Sequence, residues 1–408
     1  MIKILTLISF SLIFPSTLLS GDGWIQQYSN STERLENVFF LNENTGWIVG
    51  SRGTFMKTEN AGLSWESRNF SSPHILGSVF FLNESTGWIS GGYDFISIVY
   101  MTTDGGKNWQ VQLFDVSAFY ASSLHFFNES SGWLINCGNK DGWRIMRTTD
   151  GGNDWTNVYV GHYLSCLHFL NEQTAWAVGC NSDATQGAVL KTTDGGITWI
   201  DTFVPETIQF QSVCFVNENT GWAVGIDGSI AQSSNGGLTW FVQESISSLT
   251  AVEFADENTG WVAGFSGILK TTNGGKNWGY QNVDQLIWGM HFANRNTGWA
   301  VGHDGLIYKT KDGGGRFEII PNEYTLFQNY PNPFNPKTTI KFGISKPDNV
   351  KLRVFDITGK LVAELVNKFY TKGTYEIDFD AAGLSSGIYF YRIEMSDFID
   401  SKKMILVK

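Results

Sequence analysis

Thr102-Thr103-Asp104-Gly105-Gly106-Lys107-Asn108-Trp109 is the stretch that decides how this chain folds, because the chain writes it seven times. It returns with Asp in third place at 148–155 and 192–199, and with Asn there at 58–65, 233–240 and 271–278. A last copy, 310–317, closes on Phe317 instead of Trp. The third-place residues are Asn60, Asp104, Asp150, Asp194, Asn235, Asn273 and Asp312. A second phrase, Phe-x-[Asn/Asp]-x-x-[Thr/Ser]-[Gly/Ala]-Trp, precedes each copy and ends at Trp47, Trp88, Trp133, Trp176, Trp222, Trp261 and Trp299. Those tryptophans stand 41, 45, 43, 46, 39 and 38 residues apart. A period of that size is one supersecondary unit stacked many times.

Each unit resolves into four short runs rich in β-branched and aromatic residues and bounded by Gly, Asn, Asp or Ser. In the fifth unit they are 211–215, 221–225, 229–232 and 240–243. That is the signature of strands, and seven units of four antiparallel strands predict an all-β, seven-bladed β-propeller. The first phrase reads as the tight turn from third to fourth strand. Its Asp or Asn bonds the turn backbone, its Gly takes positive φ, and its Trp anchors the turn into the sheet.

Of the 16 Trp, 14 fall on repeat positions if Trp24 is counted as an extra copy of the first phrase; Trp143 and Trp288 are left over. Burying one Trp is worth about 4–6 kcal/mol of gross transfer energy, so the repeat tryptophans read as core. The segment 24–27 imitates a fourth strand without the three before it. It is expected to complete the last blade, in place of or beside 317–320.

Aromatic residues make up 15% of the chain and charged residues only 16%, which suits this architecture. Residues 321–408 hold 12 Lys and Arg against 10 Asp and Glu, so of the net −11 the first 320 residues carry −13. A body of that sign repels nucleic acid and anionic lipid. Residues 1–20 read as a secretory signal, with Lys3, an apolar stretch at 4–14 and a small-residue end. No later stretch approaches the roughly 18–20 apolar residues of a membrane helix, so no transmembrane segment is expected in the mature chain.

The first phrase resembles the Asp-box, or bacterial neuraminidase repeat. Together with Thr-Gly-Trp-x-x-Gly it is similar to the propellers of the photosystem II assembly and stability factor family, over about 24–320. The resemblance implies the propeller fold and a chaperone-like, protein-binding surface.

Because strands alternate in direction, the two recurring turns share one face. Loops between second and third strands share the other face with the links between blades. The copies differ on that second face. From second-phrase Trp to box Asp or Asn is 13 residues in blades 1, 5 and 7 and 12 in blade 6, but 16, 17 and 18 in blades 2, 3 and 4. The enlarged loops carry Tyr93, Asp94 and Phe95, then Asn139, Lys140, Asp141 and Trp143, then Asn181, Ser182, Asp183 and Gln186. Variable loops with aromatic and polar residues on a rigid scaffold are where recognition sits, and these residues are the expected binding site for a protein or glycan.

Catalytic and metal signals are weak. The residue before the repeat Phe is Phe39, Phe80, His125, His168, Cys214, Glu253 and His291 in turn, a layer around the axis that reads as packing between blades rather than a zinc site. Turn residues Glu43, Glu84, Glu129, Glu172, Glu218 and Glu257 read as solvated. Cys137 and Cys180 stand four residues after their tryptophans in adjacent loops; a disulfide after export and two separate thiols are both open readings. A sialidase-like glycoside hydrolase needs clustered arginines, yet Arg34, Arg52, Arg68, Arg144, Arg147, Arg295 and Arg316 sit at unrelated repeat positions. Other glycosidases need opposed carboxylates, for which Asp94, Asp141 and Asp183 are the candidates. No catalytic residue, cofactor or metal is assigned.

Five of the eight prolines fall between Pro321 and Pro347, and no Trp follows Trp299. Residues 321–337 read as a Pro-rich linker and start of the tail, and 338–408 as a small β-sandwich of alternating runs. Gln-Asn-Tyr-Pro-Asn-Pro-Phe-Asn-Pro (328–336), Val-Phe-Asp-Ile-Thr-Gly-Lys (354–360) and the terminal Lys-Lys-Met-Ile-Leu-Val-Lys are similar to the type A C-terminal sorting domain of the type IX, or Por, secretion system. That resemblance implies recognition by the type IX machinery, passage through the periplasm, and release or outer-surface attachment. The organisation expected is thus signal 1–20, propeller 21–320, linker 321–337 and sorting domain 338–408. The function expected is a secreted or cell-surface, non-catalytic binding scaffold, with the glycoside hydrolase and the photosystem II assembly chaperone as alternatives.

Overall fold

The computed structural model describes residues 23–68, 70, 74–138, 142–204, 208–244, 247–315, 318–320 and 323–408. The signal expected at 1–20 lies outside the described residues, as do Asn139, Lys140, Asp141, Arg316 and Phe317. Each of the first six repeats forms an antiparallel sheet from four consecutive strands of its own, the first being Leu35–Phe40, Gly46–Gly50, Phe55–Thr58 and Glu66–Ser67, and the seventh supplies three. The innermost strands follow round the axis as Leu35–Phe40, Ile75–Phe81, Ala118–Phe126, Tyr163–Phe169, Phe210–Phe215, Leu249–Phe254 and Ile287–Phe292. Each touches the next and the last touches the first, so seven blades close a ring.

The chain's start fastens that ring. Ile25–Gln27 pairs antiparallel with the third strand of the last blade, Ile25 opposite Lys309. Glu318–Ile320 instead adds a fifth strand to the sixth blade, Ile320 opposite Trp278. Asp312 explains the choice: its carboxylate accepts the Gly23 amide at 3.0 Å. Trp24 donates from Nε1 to Gln281 at 2.9 Å and stands edge-on to Phe292 at 5.7 Å. Box tryptophans take that place in other blades, as Trp65 does against Phe40 at 5.9 Å.

Both phrases now have a mechanical reading. In the box the first-position hydroxyl works as hard as the acid. Thr102 donates to Asp104 at 2.9 Å and accepts the Gly106 amide at 3.0 Å, while Asp104 accepts the amides of Lys107 and Asn108. Those amides and the Asn108 side chain hold the Asp104 carboxyl down at about 2. In the second phrase the Asn caps its own turn: Asn42 accepts the amides of Asn44 and Thr45. The Trp of that phrase then lies flat on the repeat Phe of the following blade. Trp47 on Phe81, Trp176 on Phe215 and Trp222 on Phe254 are parallel within 2–3°, at 3.4–3.7 Å. Trp299 on Phe40 carries the same stack across the seam of the ring.

One junction departs from this, and the sequence says why. Trp133 and Phe169 are tilted by 46°. Elsewhere a Gly precedes the Trp because a Cβ there would press into the repeat Phe, at 2.5 Å for Gly46 against Phe40. In the tilted blade that residue is Ala175, and the large Phe127 also wedges against both rings, at 5.7 Å from Trp133 and 5.3 Å from Phe169.

Beyond the propeller, two sheets face each other. One holds Thr325–Leu326, Lys337–Ile344 and Gly373–Asp380; the other holds Leu361–Tyr370, Asp348–Asp356, Gly387–Glu394 and Ile399–Leu406. Their core includes Ile340, Phe342, Val350, Leu352, Val354, Tyr391, Ile393 and Met404. The Pro-rich segment, expected to be partly linker, is built into this sandwich. Asn329, 2% exposed, donates its amide to the Tyr391 hydroxyl at 2.8 Å and its carboxamide to Thr338 at 2.8 Å. Phe334 exchanges backbone hydrogen bonds with Ile405 and Val407.

Candidate functional site

The loops of blades 2–4 expected to bind lie on the face of the interblade links, and the structure adds a feature to them. Tyr93 and Phe95, at the tip of a tight hairpin, are 50% and 54% exposed. The ring of Phe95 meets that of Phe119 at 4.9 Å, from the first strand of the next blade. Trp143, the start of the third strand of blade 3, meets Tyr163 edge-on at 5.5 Å, again across a blade boundary. Phe119, Tyr163 and Val116, the last in the link between blades 2 and 3, are 44%, 40% and 67% exposed. Two ring pairs, Phe95–Phe119 and Trp143–Tyr163, with Tyr93 and Val116, thus spread a strip of aromatic and apolar residues over three blades.

The strip rests on a fixed support. Asp115 pairs with Arg144 at 3.2 Å, and accepts from Asn136 at 3.1 Å and from the Ser117 amide at 2.8 Å. Burial pushes the Asp115 carboxyl up, but the Ser117 hydrogen bonds and the Arg144 charge outweigh it and leave its pKa lowered. The hairpin tip itself is strained: Asp94 and Phe95 hold φ of 49° and 66°. Non-glycine residues cost about 1–3 kcal/mol each in that region, and such strain collects at functional sites.

The expected loop residues divide. Tyr93, Asp94, Phe95 and Asp183 are exposed, and Trp143 and Gln186 are half-buried. Asn181 is 9% exposed and its Oδ1 accepts the amides of Thr185 and Gln186 at 2.8 and 3.0 Å, so it shapes its loop. Phe119, Val116 and Tyr163 were missed because they belong to links and strand starts, which lie outside the span from second-phrase Trp to box Asp or Asn whose length singled out the loops. The signal for them was the rule that links share the face of the enlarged loops.

Cys137 and Cys180 are free thiols, as are Cys166 and Cys214, so the disulfide reading does not hold. Cys137 pairs with Tyr120 in one sheet and Cys180 with Tyr163 in the next, each against its own strand neighbour. Among the described residues the arginines do not converge. Arg34, Arg52, Arg68, Arg144 and Arg295 each pair with a nearby carboxylate, and Arg147 lies over Trp133 at 5.5 Å.

The axial layer is occupied by contacts between blades. Phe39 meets Phe80 at 5.2 Å, Phe80 meets His125 at 4.9 Å, and His125 stacks on Phe169 at 5.1 Å. His168 Nε2 lies 3.0 Å from the Phe215 carbonyl. His291 lies between the Phe40 carbonyl at 3.1 Å and Glu253 at 3.4 Å. Burial lowers His125 and His168 to about 4. For His291 burial also pulls down, but the Glu253 carboxylate overcomes it and its pKa is raised. Among the described residues no three His, Cys, Asp or Glu are grouped to hold one metal ion. Nor is any helix there long and apolar enough to cross a membrane.

Comparison with known proteins follows the same division of the chain. Residues 18–115 and 200–287 match the family model described as photosynthesis system II assembly factor YCF48, and residues 328–408 match that of the secretion system C-terminal sorting domain. No curated protein matches the chain. Among solved structures, YCF48 bound to D1 peptide has a TM-score of 0.59 at 21% identity, covering 72% of this chain and 96% of that one. YCF48 from Cyanidioschyzon merolae has a TM-score of 0.59 at 19% identity, over 71% and 98%. The WD40 β-propeller domain of Doa1 has 0.52 at 11%, over 71% and 96%. At such identities the likeness carries the fold. The chain is therefore similar to YCF48-type repeat propellers over its larger part, and to secretion-system C-terminal sorting domains over its tail.

Proposed function

We propose that this protein is an exported, non-catalytic binding scaffold that engages a protein or glycan through the aromatic strip of blades 2–4. The observation that carries the reading is Phe95. A half-exposed aromatic ring stands at positive φ, where Gly is favoured, so the chain gives up both backbone ease and solvation at one position. A ring placed there against both costs supports recognition, since exposed aromatic anchors dominate binding surfaces. The match of 328–408 to the sorting-domain model supports delivery by the type IX route to the cell surface or medium.

Two experiments test the two halves. A glycan and surface-protein binding screen on the chain should return a ligand whose binding is lost when the tips of the three enlarged loops are trimmed. Retained binding after trimming sinks the strip as the site, and turnover of labelled glycans that depends on Asp94 or Asp183 points to a hydrolase instead. A reporter fused to residues 321–408 should leave a host that has the type IX machinery and stay inside one that lacks it.

A further inference from the structure

In every blade the innermost strand slips against its neighbour, for instance between Leu35 and Asn37 in the first blade and between Ile287 and Gly289 in the last; in the third blade it slips twice, at Phe119 and again between Ala121 and Leu124. The skipped residue pairs with nothing, and such a bulge re-aims its side chain. Across the ring the slip leaves Glu36, Ser122, Ser165, Gln211, Thr250 and Trp288, with Gly77 in the second blade. All of them line a cavity of about 680 Å³ on the propeller axis. One layer along, rings stack over part of the circle, from His291 through Phe39 and Phe80 to His125, while His168, Cys214 and Glu253 of that layer line the cavity as well. Aliphatic residues at these positions would have closed it, since protein interiors gain from dense packing.

The lining selects a class of occupant. Each charged side chain on its wall already has an opposite partner: Glu36 pairs with Arg34, whose guanidinium lies over the Trp288 ring at 5.1 Å, Glu253 with His291 at 3.4 Å, and Arg295 with Asp256 at 3.4 Å. A cation would have to displace Arg34 from that ring, and an anion meets a propeller carrying an excess of carboxylates. What is left over is neutral. Ser165 and Gln211, on adjacent blades, make no hydrogen bond to the described residues, while Thr250 is held by the Ile287 carbonyl at 2.7 Å. Tyr120 and Trp288 supply apolar ring surface beside these hydroxyl and amide groups. Hydrogen-bonding groups of both kinds next to aromatic faces, in a space of the size small-molecule sites have, suit a molecule with hydroxyls on its edges and C–H groups on its faces.

We propose that the axial cavity is a binding site for a neutral sugar residue, entered from the face that carries the aromatic strip. Tyr120 lies on the wall and its chain neighbour Phe119 in the strip, so the two surfaces adjoin. This site is separate from the strip, and either can fail without the other. It also gives a role to Trp288, one of the two tryptophans the repeat does not explain.

Calorimetric titration of the full chain with glucose, galactose, N-acetylglucosamine and maltose tests it. At least one should bind, while glucuronate and glucosamine bind more weakly. Trp288→Ala removes the ring and Ser165→Leu fills the space; each should weaken that sugar about tenfold or more. Gln211→Ala gives a third reading should either variant fail to fold. The double variant Tyr93→Ser, Phe95→Gly should leave the sugar's affinity unchanged. No binding by any neutral sugar at about 10 mM, which would leave the cavity to water, overturns the proposal. So does binding that survives all three cavity variants, or binding abolished by the strip variant.

Discussion

Replacing Phe95 by Gly tests directly whether that ring is there for the fold or for a ligand. Asp94 and Phe95 form the two-residue loop of a hairpin, between Tyr93 and Ile96, with both φ positive. That turn is the one for which Asp-Gly is a preferred pair, and Phe95→Gly creates that pair. Relief of the left-handed conformation returns about 1–2 kcal/mol. The freer unfolded glycine chain takes back about 0.5–1 kcal/mol. Loss of the Phe95–Phe119 contact, at 4.9 Å between ring centres, costs about 0.5–1.5 kcal/mol. The three nearly cancel, leaving a net change within about 1.5 kcal/mol of zero. A phenylalanine that held the core would cost about 3–5 kcal/mol on truncation. Urea unfolding of the two proteins decides between them, as a midpoint shift at unchanged slope. A loss above about 3 kcal/mol would show that Phe95 supports the propeller, and the inference from strain to recognition would fall with it.

Other perturbations follow from the same structure. His125 and His168 have folded pKa values of about 4 against 6.5 in the unfolded chain. The unfolded state therefore takes up protons first, and stability falls as pH drops from 6.5 toward 4, by up to about 1.4 kcal/mol per unit for each histidine. His291, whose pKa is raised, contributes in the opposite sense: its stabilisation is full below 6.5 and is lost as pH rises through the folded value. His125→Phe, the residue at the matching positions 39 and 80, should flatten the acid limb in urea midpoints taken at pH 7 and 4.5 and leave the pH 7 value nearly unchanged. Thr271→Val leaves the Gly275 amide without the hydroxyl it donates to at 2.9 Å, and should cost about 1–3 kcal/mol; no measurable loss would mean that the acid alone holds the turn. Because Ile25–Gln27 closes the ring, a chain ending at residue 320 should keep its melting temperature, whereas Trp24→Ala should lose about 3–5 kcal/mol. Scanning calorimetry of the two separates these outcomes.

What the sequence decided is whatever repeats. The number of blades, the strand pattern within each and the chemistry of both turns are local matters: an Asp or Asn, a hydroxyl and a Gly within a few residues make the same hydrogen bonds wherever they stand. The second-phrase tryptophans are core, as their fixed place in the repeat implies, and each lies on the Phe of the next blade, whereas Trp109, Trp155, Trp199 and Trp240 of the box stay half-buried. The tail was legible for the same reason, from alternating runs and a Pro-rich motif; that this motif is a strap across the sandwich was not, because Asn329 and Phe334 find their partners some sixty to seventy residues away.

Tertiary structure decided what depends on which blades become neighbours. Either Ile25–Gln27 or Glu318–Ile320 could have closed the ring as far as strand chemistry goes; the contact of Gly23 with Asp312 settled it. The two free thiols at Cys137 and Cys180 follow from sheet register rather than from their matching repeat positions. Phe119 and Tyr163 enter the strip only because closing the ring sets them beside Phe95 and Trp143. The axial cavity exists because seven bulges converge, and no single repeat contains it. Local hydrogen bonding writes a repeat unit into the chain, but a surface shared by several units comes into being only when the ring has closed.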